Sequence, residues 1–214
     1  MLYQLSYLGE AGRVAQCSEK RPLPQRESRA PARGNARVLR LPAVILKVAK
    51  LGAPELRMQA REVDPRAVSR GDYEPFLTDL EHTMREYDGT GIAAPQVFTP
   101  LRAFLYEVNP ETRKRKEKAV PLTALFNASY EPVGSKKEED SEGCLSVPFL
   151  WGGVVPRWET IRVHALDRAG KAVEFEASGF HARVLQHEID HLDGLVYLDR
   201  MPDMKSLAYT VKFG

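Results

Sequence analysis

Two histidines that flank a glutamate in LQHEIDHLDG, residues 185–194, have the spacing of a metal-binding helix. His187 and His191 stand four residues apart, so on an α-helix their imidazoles lie on one face and can bind one transition-metal ion. Glu188 can then reach a water on the metal without being a ligand, as a general base must. The same pattern also arises by chance in surface helices. A metal site and a chance pair of histidines therefore both remain open interpretations until a third ligand is found.

A catalytic site of this kind needs a third protein ligand and an open position for water. One class of metallopeptidases continues the helix to a third histidine, but this chain has Tyr197 at that place, and no glutamate follows Glu188. A third ligand must therefore come from upstream, and the candidate is Cys144 in SEGCLSVP. A thiolate with two imidazoles leaves one position open. Considered alone, Cys144 would instead be a small buried apolar residue.

The helix that carries the histidines is expected to run through GFHARVLQHEIDHLDG, with Ser178 as its N-cap and Gly194 at its end. Its apolar residues cover much of its circumference, which predicts burial. They are Phe180, Val184, Leu185, Ile189 and Leu192. A second, amphipathic helix is predicted in EPFLTDLEHTMREYDG, ending near Gly89.

Alternating apolar residues predict strands in LRAFLYEV and LTALFNASYEPV, and a hairpin in TIRVHALDRAGKAVEFEAS that turns at DRAG. Between the first two strands, the charge run NPETRKRKEK predicts a solvated loop. The expected fold is therefore α+β, with mixed or antiparallel sheets wrapped around the central helix that carries the two histidines.

The 214 residues are 43% apolar and 28% charged with a net charge of +2, as in an ordinary globular domain. This balance gives no reason to expect nucleic acid or a membrane as a partner. Two cysteines, Cys17 and Cys144, are far apart, so no disulfide framework is indicated and a reducing compartment is expected.

The first forty-two residues differ in composition from the catalytic domain expected over 43–214, being rich in Arg and Pro. They predict a disordered tail or the product of an upstream start codon. An organelle transit segment is the alternative, disfavoured by Glu10, Glu19 and Glu27 because such segments are poor in acids.

A third unusual segment, DGTGIAAPQV at residues 88–97, lacks the glycine pattern of a nucleotide-binding loop. Its core GTGIAAPQ is followed along the chain by EGCLS and QHEIDHLDG. The three motifs in this order resemble the peptide deformylase family. GAPELR and ARVLQHE are also similar to that family, so the resemblance extends over about residues 43–200.

The resemblance implies a hydrolase that removes the formyl group from N-terminal N-formylmethionine of newly made polypeptides and releases formate. It implies one divalent ion held by Cys144, His187 and His191. Fe2+ is the expected ion, with Ni2+, Co2+ and Zn2+ as alternatives, since the ligand set suits several metals. There are two competing hypotheses. One is a zinc endopeptidase with another third ligand, and the other is a non-catalytic relative whose metal only holds the fold or a partner surface.

The family likeness also assigns roles in catalysis and substrate binding. Glu188 is the implied acid and base, while the Gln96 amide and the Leu145 N–H are the implied oxyanion donors. The implied substrate-binding residues are Gly91, Ile92, Glu142 and Gly143. These roles are the ones that hydrolysis of a formamide requires. The formamide carbonyl is a poor electrophile, so the reaction needs an activated water and hydrogen-bond donors that are fixed in place.

The loop PFLWGGVVPR departs from the family pattern. Many bacterial members carry a substrate-contacting arginine where this chain has Trp151, which either stacks on substrate or packs over the site, whereas Arg157 matches a structural arginine. The expected partners are nascent N-formylmethionyl polypeptides, with transient ribosome proximity. The short C-terminus has no room for the ribosome-contacting helix of some relatives. A bacterial cytoplasmic location is expected, with organelle import as the alternative.

Overall fold

Segments rich in β-branched and aromatic residues form a five-stranded antiparallel sheet in the computed structural model, which describes residues 43–109 and 118–209. Its strands are β1 (Gly91–Ala93), β2 (Ala103–Val108), β3 (Val120–Pro132), β7 (Thr160–Leu166) and β8 (Ala172–Ser178), in the order β1-β2-β3-β7-β8. The predicted strands and the DRAG hairpin are therefore present. The predicted N-terminal extension and most of the charged loop lie outside the described residues.

Two smaller antiparallel sheets build the wall that carries the cysteine motif. β4 (Lys137–Glu142) pairs with β6 (Gly153–Trp158), and β5 (Leu150–Trp151) pairs with β9 (Ala208–Tyr209). The chain leaves β4 at Glu142, turns through the cysteine motif and returns opposite it at Gly153. All strand pairs between the described elements are antiparallel, so the expected α+β class is confirmed with sheets of the antiparallel kind.

The helices are α1 (Pro65–Ser69), α2 (Glu74–Glu86) and α3 (Gly179–Leu192), with single 3-10 turns at Pro54–Arg57, Ala94–Val97 and Tyr197–Arg200. Both predicted helices, α2 and α3, are present. No helix in the described ranges is long and apolar enough to span a bilayer.

The sequence predicted the residues at both ends of α3. Ser178 occupies the N-cap position, but its side chain makes no capping hydrogen bond, and its hydroxyl lies 2.9 Å from the hydroxyl of Thr160. At the other end Gly194 has φ +75° and a Cβ there would lie 2.8 Å from the Arg57 carbonyl carbon, so glycine is required on both counts.

Most residues of helix α3 are buried. Leu185 and Leu192 are fully buried and Val184 and Ile189 nearly so, while Phe180 is half-buried. The helix contacts strands of the five-stranded sheet and also β6 of the smaller sheet. Burial of these side chains contributes roughly 1.5–3 kcal/mol each to folding, which fixes the helix in place.

Buried ion pairs lock α3 to β6. The guanidinium of Arg157 on β6 donates to the Asp190 carboxylate on α3 at 2.5 Å and to Glu142 at the end of β4 at 2.8 Å. Arg157 is 3% exposed, and Asp190 also accepts from Arg200 at 2.7 Å. Buried carboxylates tolerate burial only when they are paired, so this guanidinium holds three elements together.

We expect Arg157→Met to lower the free energy of unfolding of the metal-free protein by about 3–5 kcal/mol, because two buried carboxylates lose a cationic partner. Urea unfolding followed by circular dichroism measures the change. Arg162→Met is the matched control, since Arg162 makes its ion pairs on the exposed face of β7 and its loss should cost far less. Equal losses in the two variants would contradict the stabilising role of Arg157.

Candidate metal centre

The turn after β4 brings Cys144 against the histidine face of α3. The Val147 N–H donates to the Cys144 carbonyl at 3.0 Å and closes this turn. Cys144 Sγ lies 3.2 Å from His191 Nε2, and the potential ligand atoms of Cys144, His187 and His191 all lie within 4.8 Å of one another. The upstream sulfur that the sequence required is thus beside both imidazoles.

The three donors fit one metal ion. Bonds of about 2.0–2.3 Å place the donors of a tetrahedral ion roughly 3.5 Å apart, which is the scale of the observed separations. Burial raises the pKa of the Cys144 thiol, but the neighbouring His191 and His187 outweigh this and hold it well below its ordinary value. The thiolate that a metal requires is therefore the favoured form of the sulfur.

A buried carboxylate orients the first histidine. Glu142 Oε2 lies 2.8 Å from His187 Nδ1 and accepts from Arg157, while Oε1 accepts from Arg157 and from Arg183 at 2.8 Å each. Burial raises the pKa of Glu142, but His187 and Arg157 hold it well below its usual range. An ionised Glu142 fixes the proton of His187 on Nδ1 and turns Nε2 toward the cysteine, as outer carboxylates do in metal sites.

This role of Glu142 was missed by sequence reasoning, which placed the residue among the substrate contacts. Its carboxylate oxygens pair with Arg157, Arg183 and His187. No sequence signal marks the pairing, because the partners lie 15, 41 and 45 residues further along the chain.

Glu188 lies under Gly91 in the same site. It is 4% exposed, and a Cβ on Gly91 would stand only 2.4 Å from Glu188 Oε1. Burial raises the pKa of Glu188 to about 7, and a cation bound alongside would lower it again. Its Oε2 is buried without a hydrogen-bond partner among the described residues. A carboxylate with these properties is suited to moving a proton near neutral pH.

Gln96 presents its amide nitrogen to the cysteine. Its Oε1 accepts from the Ala93 N–H at 2.8 Å, which leaves Nε2 3.2 Å from Ser146 Oγ and 3.5 Å from Cys144 Sγ. The side chain is 1% exposed and rises from the 3-10 turn that follows β1. Leu145 directly follows Cys144 in the turn, so the Leu145 N–H lies beside Cys144 in the same site.

Most of the predicted site residues line one cavity of about 430 Å³, whereas His191 is fully buried behind it and is not part of the lining. The predicted site residues that line it are Gly91, Gln96, Glu142, Gly143, Cys144, Leu145, His187 and Glu188. Ile92 differs from its prediction as a substrate contact, because its side chain is fully buried in the core beside α2. Phe180 and Val184 supply apolar lining instead, and Trp151, 46% exposed, forms part of the rim.

Known proteins match the chain over the region that holds this site. Residues 45–207 match the family model described as polypeptide deformylase. Peptide deformylase 1 of Nitrosomonas europaea is 39% identical over 167 residues, covering 78% of this chain and 93% of that protein. Peptide deformylase 1 of Prochlorococcus marinus is 40% identical over 167 residues, covering 78% and 85%.

Solved structures agree with the sequence relatives. The class I type b peptide deformylase from Acinetobacter baumannii bound to Met-Ala-Ser matches with a TM-score of 0.70 at 33% identity, over 74% of this chain and 99% of that one. A peptide deformylase from Synechococcus elongatus in complex with actinonin matches with a TM-score of 0.66 at 29% identity, over 76% and 82%. The chain therefore belongs to the polypeptide deformylase family, metal-dependent hydrolases that remove the formyl group from the N-terminal methionine of new polypeptides.

Proposed function

We propose that Cys144, His187 and His191 hold the single divalent ion with which this chain deformylates nascent polypeptides. The observation that carries the proposal is the meeting of one sulfur and two imidazoles beside the buried Glu188. A bound ion supplies Lewis acidity and lowers the pKa of a water toward neutrality. Fe2+ is the proposed native ion, and Ni2+, Co2+ and Zn2+ are the alternatives that this donor set also suits.

Glu188 is proposed to carry the proton of the reaction. It takes a proton from the attacking water and delivers it to the nitrogen that leaves as the methionine amine, so one group acts as base and then as acid. Its burial supports this role, because a carboxylate with a raised pKa can both accept and return a proton near neutral pH.

Gln96 and Leu145 are proposed to stabilise the charge that develops on the formyl oxygen. The Gln96 amide is held before any reaction by its bond to Ala93, so its nitrogen needs no reorganisation. The Leu145 N–H lies in the closed turn after Cys144. Two donors fixed in a buried site are worth more than the same donors in water.

The substrate is proposed to lie along the cavity with its main chain against Gly91 and Gly143 and its methionine side chain against Phe180 and Val184. The Acinetobacter baumannii relative binds Met-Ala-Ser, which supports a peptide of this kind in the same place. Trp151 at the rim is then near the residues that follow methionine. The expected roles of Ile92 and Glu142 reduce to main-chain contacts.

The wider setting is proposed from the family. The enzyme is proposed to act close to the ribosome, where new polypeptides emerge, and in the bacterial cytoplasm, since the relatives it matches are bacterial. Import into an organelle by residues 1–42 is the alternative. The sheets are proposed to wrap α3 as the centre of the fold, which the contacts of α3 with strands of two sheets support.

The direct test is release of formate from formyl-Met-Ala-Ser by protein loaded anaerobically with Fe2+ or with Ni2+. We expect turnover, and we expect Glu188→Gln to lower kcat by roughly 10²–10⁴-fold because the proton carrier is lost. Metal content of the variant, measured by plasma mass spectrometry, should stay at one ion per chain. Cleavage of unblocked internal peptides without formate release would favour an endopeptidase instead.

Gly91→Ala should lower kcat strongly while metal content stays unchanged, because the new Cβ would occupy the space of Glu188 Oε1. Gly143→Ala is the comparison, since it also lies on the proposed substrate path, but the described protein atoms that its Cβ would meet belong to the exposed Trp151 ring and not to Glu188. Steady-state kinetics of both variants should give the larger loss for Gly91→Ala. The reverse order would argue against a requirement for Glu188 at its observed place.

Gln96→Glu keeps the side-chain oxygen that accepts from Ala93 but removes the amide donor. We expect kcat to fall by about 10²–10³-fold, the usual effect of losing one oxyanion donor, with a smaller change in KM. Gln186→Glu is a control for a buried amide, because Gln186 instead bonds the main chain of Trp158. Unchanged kcat in Gln96→Glu would remove Gln96 from the catalytic role.

A further inference from the structure

Three consecutive residues upstream of α1 connect the two motifs of the site. The Ala49 N–H donates to the Gln96 carbonyl at 2.7 Å, and the Leu51 N–H donates to the Ser146 carbonyl at 2.8 Å. Between them, Lys50 Nζ donates to the Leu145 carbonyl at 2.9 Å. One short loop segment thus links the residue with the amide donor to the turn with the proposed metal ligand.

The bond from Lys50 lies on the peptide unit that touches the sulfur. The oxygen of the Leu145–Ser146 peptide accepts from the Lys50 ammonium, and the N–H of the same peptide donates to Cys144 Sγ at 3.4 Å. A cation on a carbonyl oxygen polarises the peptide and makes its N–H a stronger donor, because hydrogen bonds in a chain reinforce one another. The positive charge of Lys50 therefore strengthens the hydrogen bond from the Ser146 N–H to the Cys144 sulfur through the single peptide group between them.

The position of Lys50 is fixed although its side chain is exposed. Its ammonium lies 5.4 Å from the centroid of the Tyr87 ring, and Tyr87 itself lines the cavity. Partial burial lowers the pKa of Lys50, and the negative charge of Cys144 opposes that shift, as expected of two groups in electrostatic contact. A cation–π contact and a charged hydrogen bond together favour one orientation of a flexible side chain.

We propose that Lys50 is a positioning residue of the metal centre, which tunes the Cys144 sulfur and fixes the Leu145 turn through the Leu145–Ser146 peptide. The proposal rests on the proposed function, since it takes Cys144 as a metal ligand. Lys50 touches neither substrate nor metal in this account. It sets how much electron density the sulfur donates and where the neighbouring N–H points.

The test uses Lys50→Met, Lys50→Gln and Lys50→Arg in the full chain loaded with Co2+, together with Lys47→Met. Lys47 is the matched control, because it is an exposed lysine of the same segment whose ammonium lies 5.7 Å from the Phe98 ring centroid, away from the turn. The readouts are the thiolate-to-Co2+ charge-transfer band and the kinetics of formate release. The band reports the sulfur itself, which a purely structural role of Lys50 would not move.

We expect both neutral variants to shift the band to lower energy, because a weaker N–H donor leaves the sulfur electrons less stabilised. We expect kcat to fall about ten-fold, as for other residues that support metal ligands, with a smaller change in KM. Lys50→Arg should return band and kcat toward the parent values, and Lys47→Met should match the parent. The two neutral variants differ in polarity, so folding of either one suffices.

A band unchanged in the neutral variants would overturn the proposal, even if kcat falls, since the effect would then be structural. Failure of Lys50→Arg to restore the band would also overturn it, because charge is the proposed agent. Cys144→Ser distinguishes failure of the proposed role of Lys50 from failure of Cys144 as the metal ligand. If the parent has no sulfur band, or if Cys144→Ser keeps it, Cys144 is not the ligand and the proposed function fails together with this one.

Discussion

The fold around the site depends on one buried carboxylate, Glu142. It stands at the end of β4, and its partners come from β6 through Arg157 and from α3 through Arg183 and His187. Because an unpaired carboxylate at 5% exposure would cost several kcal/mol, the three elements are stable only in the arrangement that supplies all three partners. The cysteine follows Glu142 by two residues, so the contact that aligns the strands also sets the distance from the proposed sulfur ligand to the histidine helix.

The ion pairs around Glu142 also allow the fold to tolerate the buried carboxylate of Glu188, which costs stability. Glu188 is buried with one oxygen that has no hydrogen-bond partner in the part of the chain that the structure describes, which by itself destabilises the fold. Helix α3 stays in place despite this cost. It is held by the ion pairs of Arg157 with Glu142 and Asp190 and by its apolar packing. Stability and chemistry are therefore divided between two faces of one helix, since Asp190 serves the first and Glu188 the second.

The sequence could predict what local geometry determines. A spacing of four on a helix put His187 and His191 on one face, and the absence of any downstream glutamate left Cys144 as the third candidate. It could not predict the pairing of Glu142 or the burial of Ile92, because both depend on residues far along the chain. Strand β1 is three residues long, and Ile92 and Ala93 are both buried, so it has no alternation that would show which way Ile92 points. The absence of a side-chain capping bond from the N-cap Ser178 has a similar reason, since the paired strand β7 places Thr160 directly opposite.

Glycine positions near the site follow from contact rather than from backbone conformation. Gly91, Gly143 and Gly153 all lack the positive φ that favours glycine, yet a Cβ on each would lie within 3 Å of a side chain. For Gly91 that side chain is Glu188, and for Gly153 it is Tyr197, whose ring stacks on His187 at 6.3 Å. The absence of a side chain thus lets the Gly91 main chain lie against Glu188, and lets the Tyr197 ring that stacks on His187 lie against Gly153. Within GTGIAAPQ, the requirement for glycine at Gly91 therefore comes from the Glu188 carboxylate that packs against it, whereas a Cβ on Gly89 would meet Leu145 and Met84.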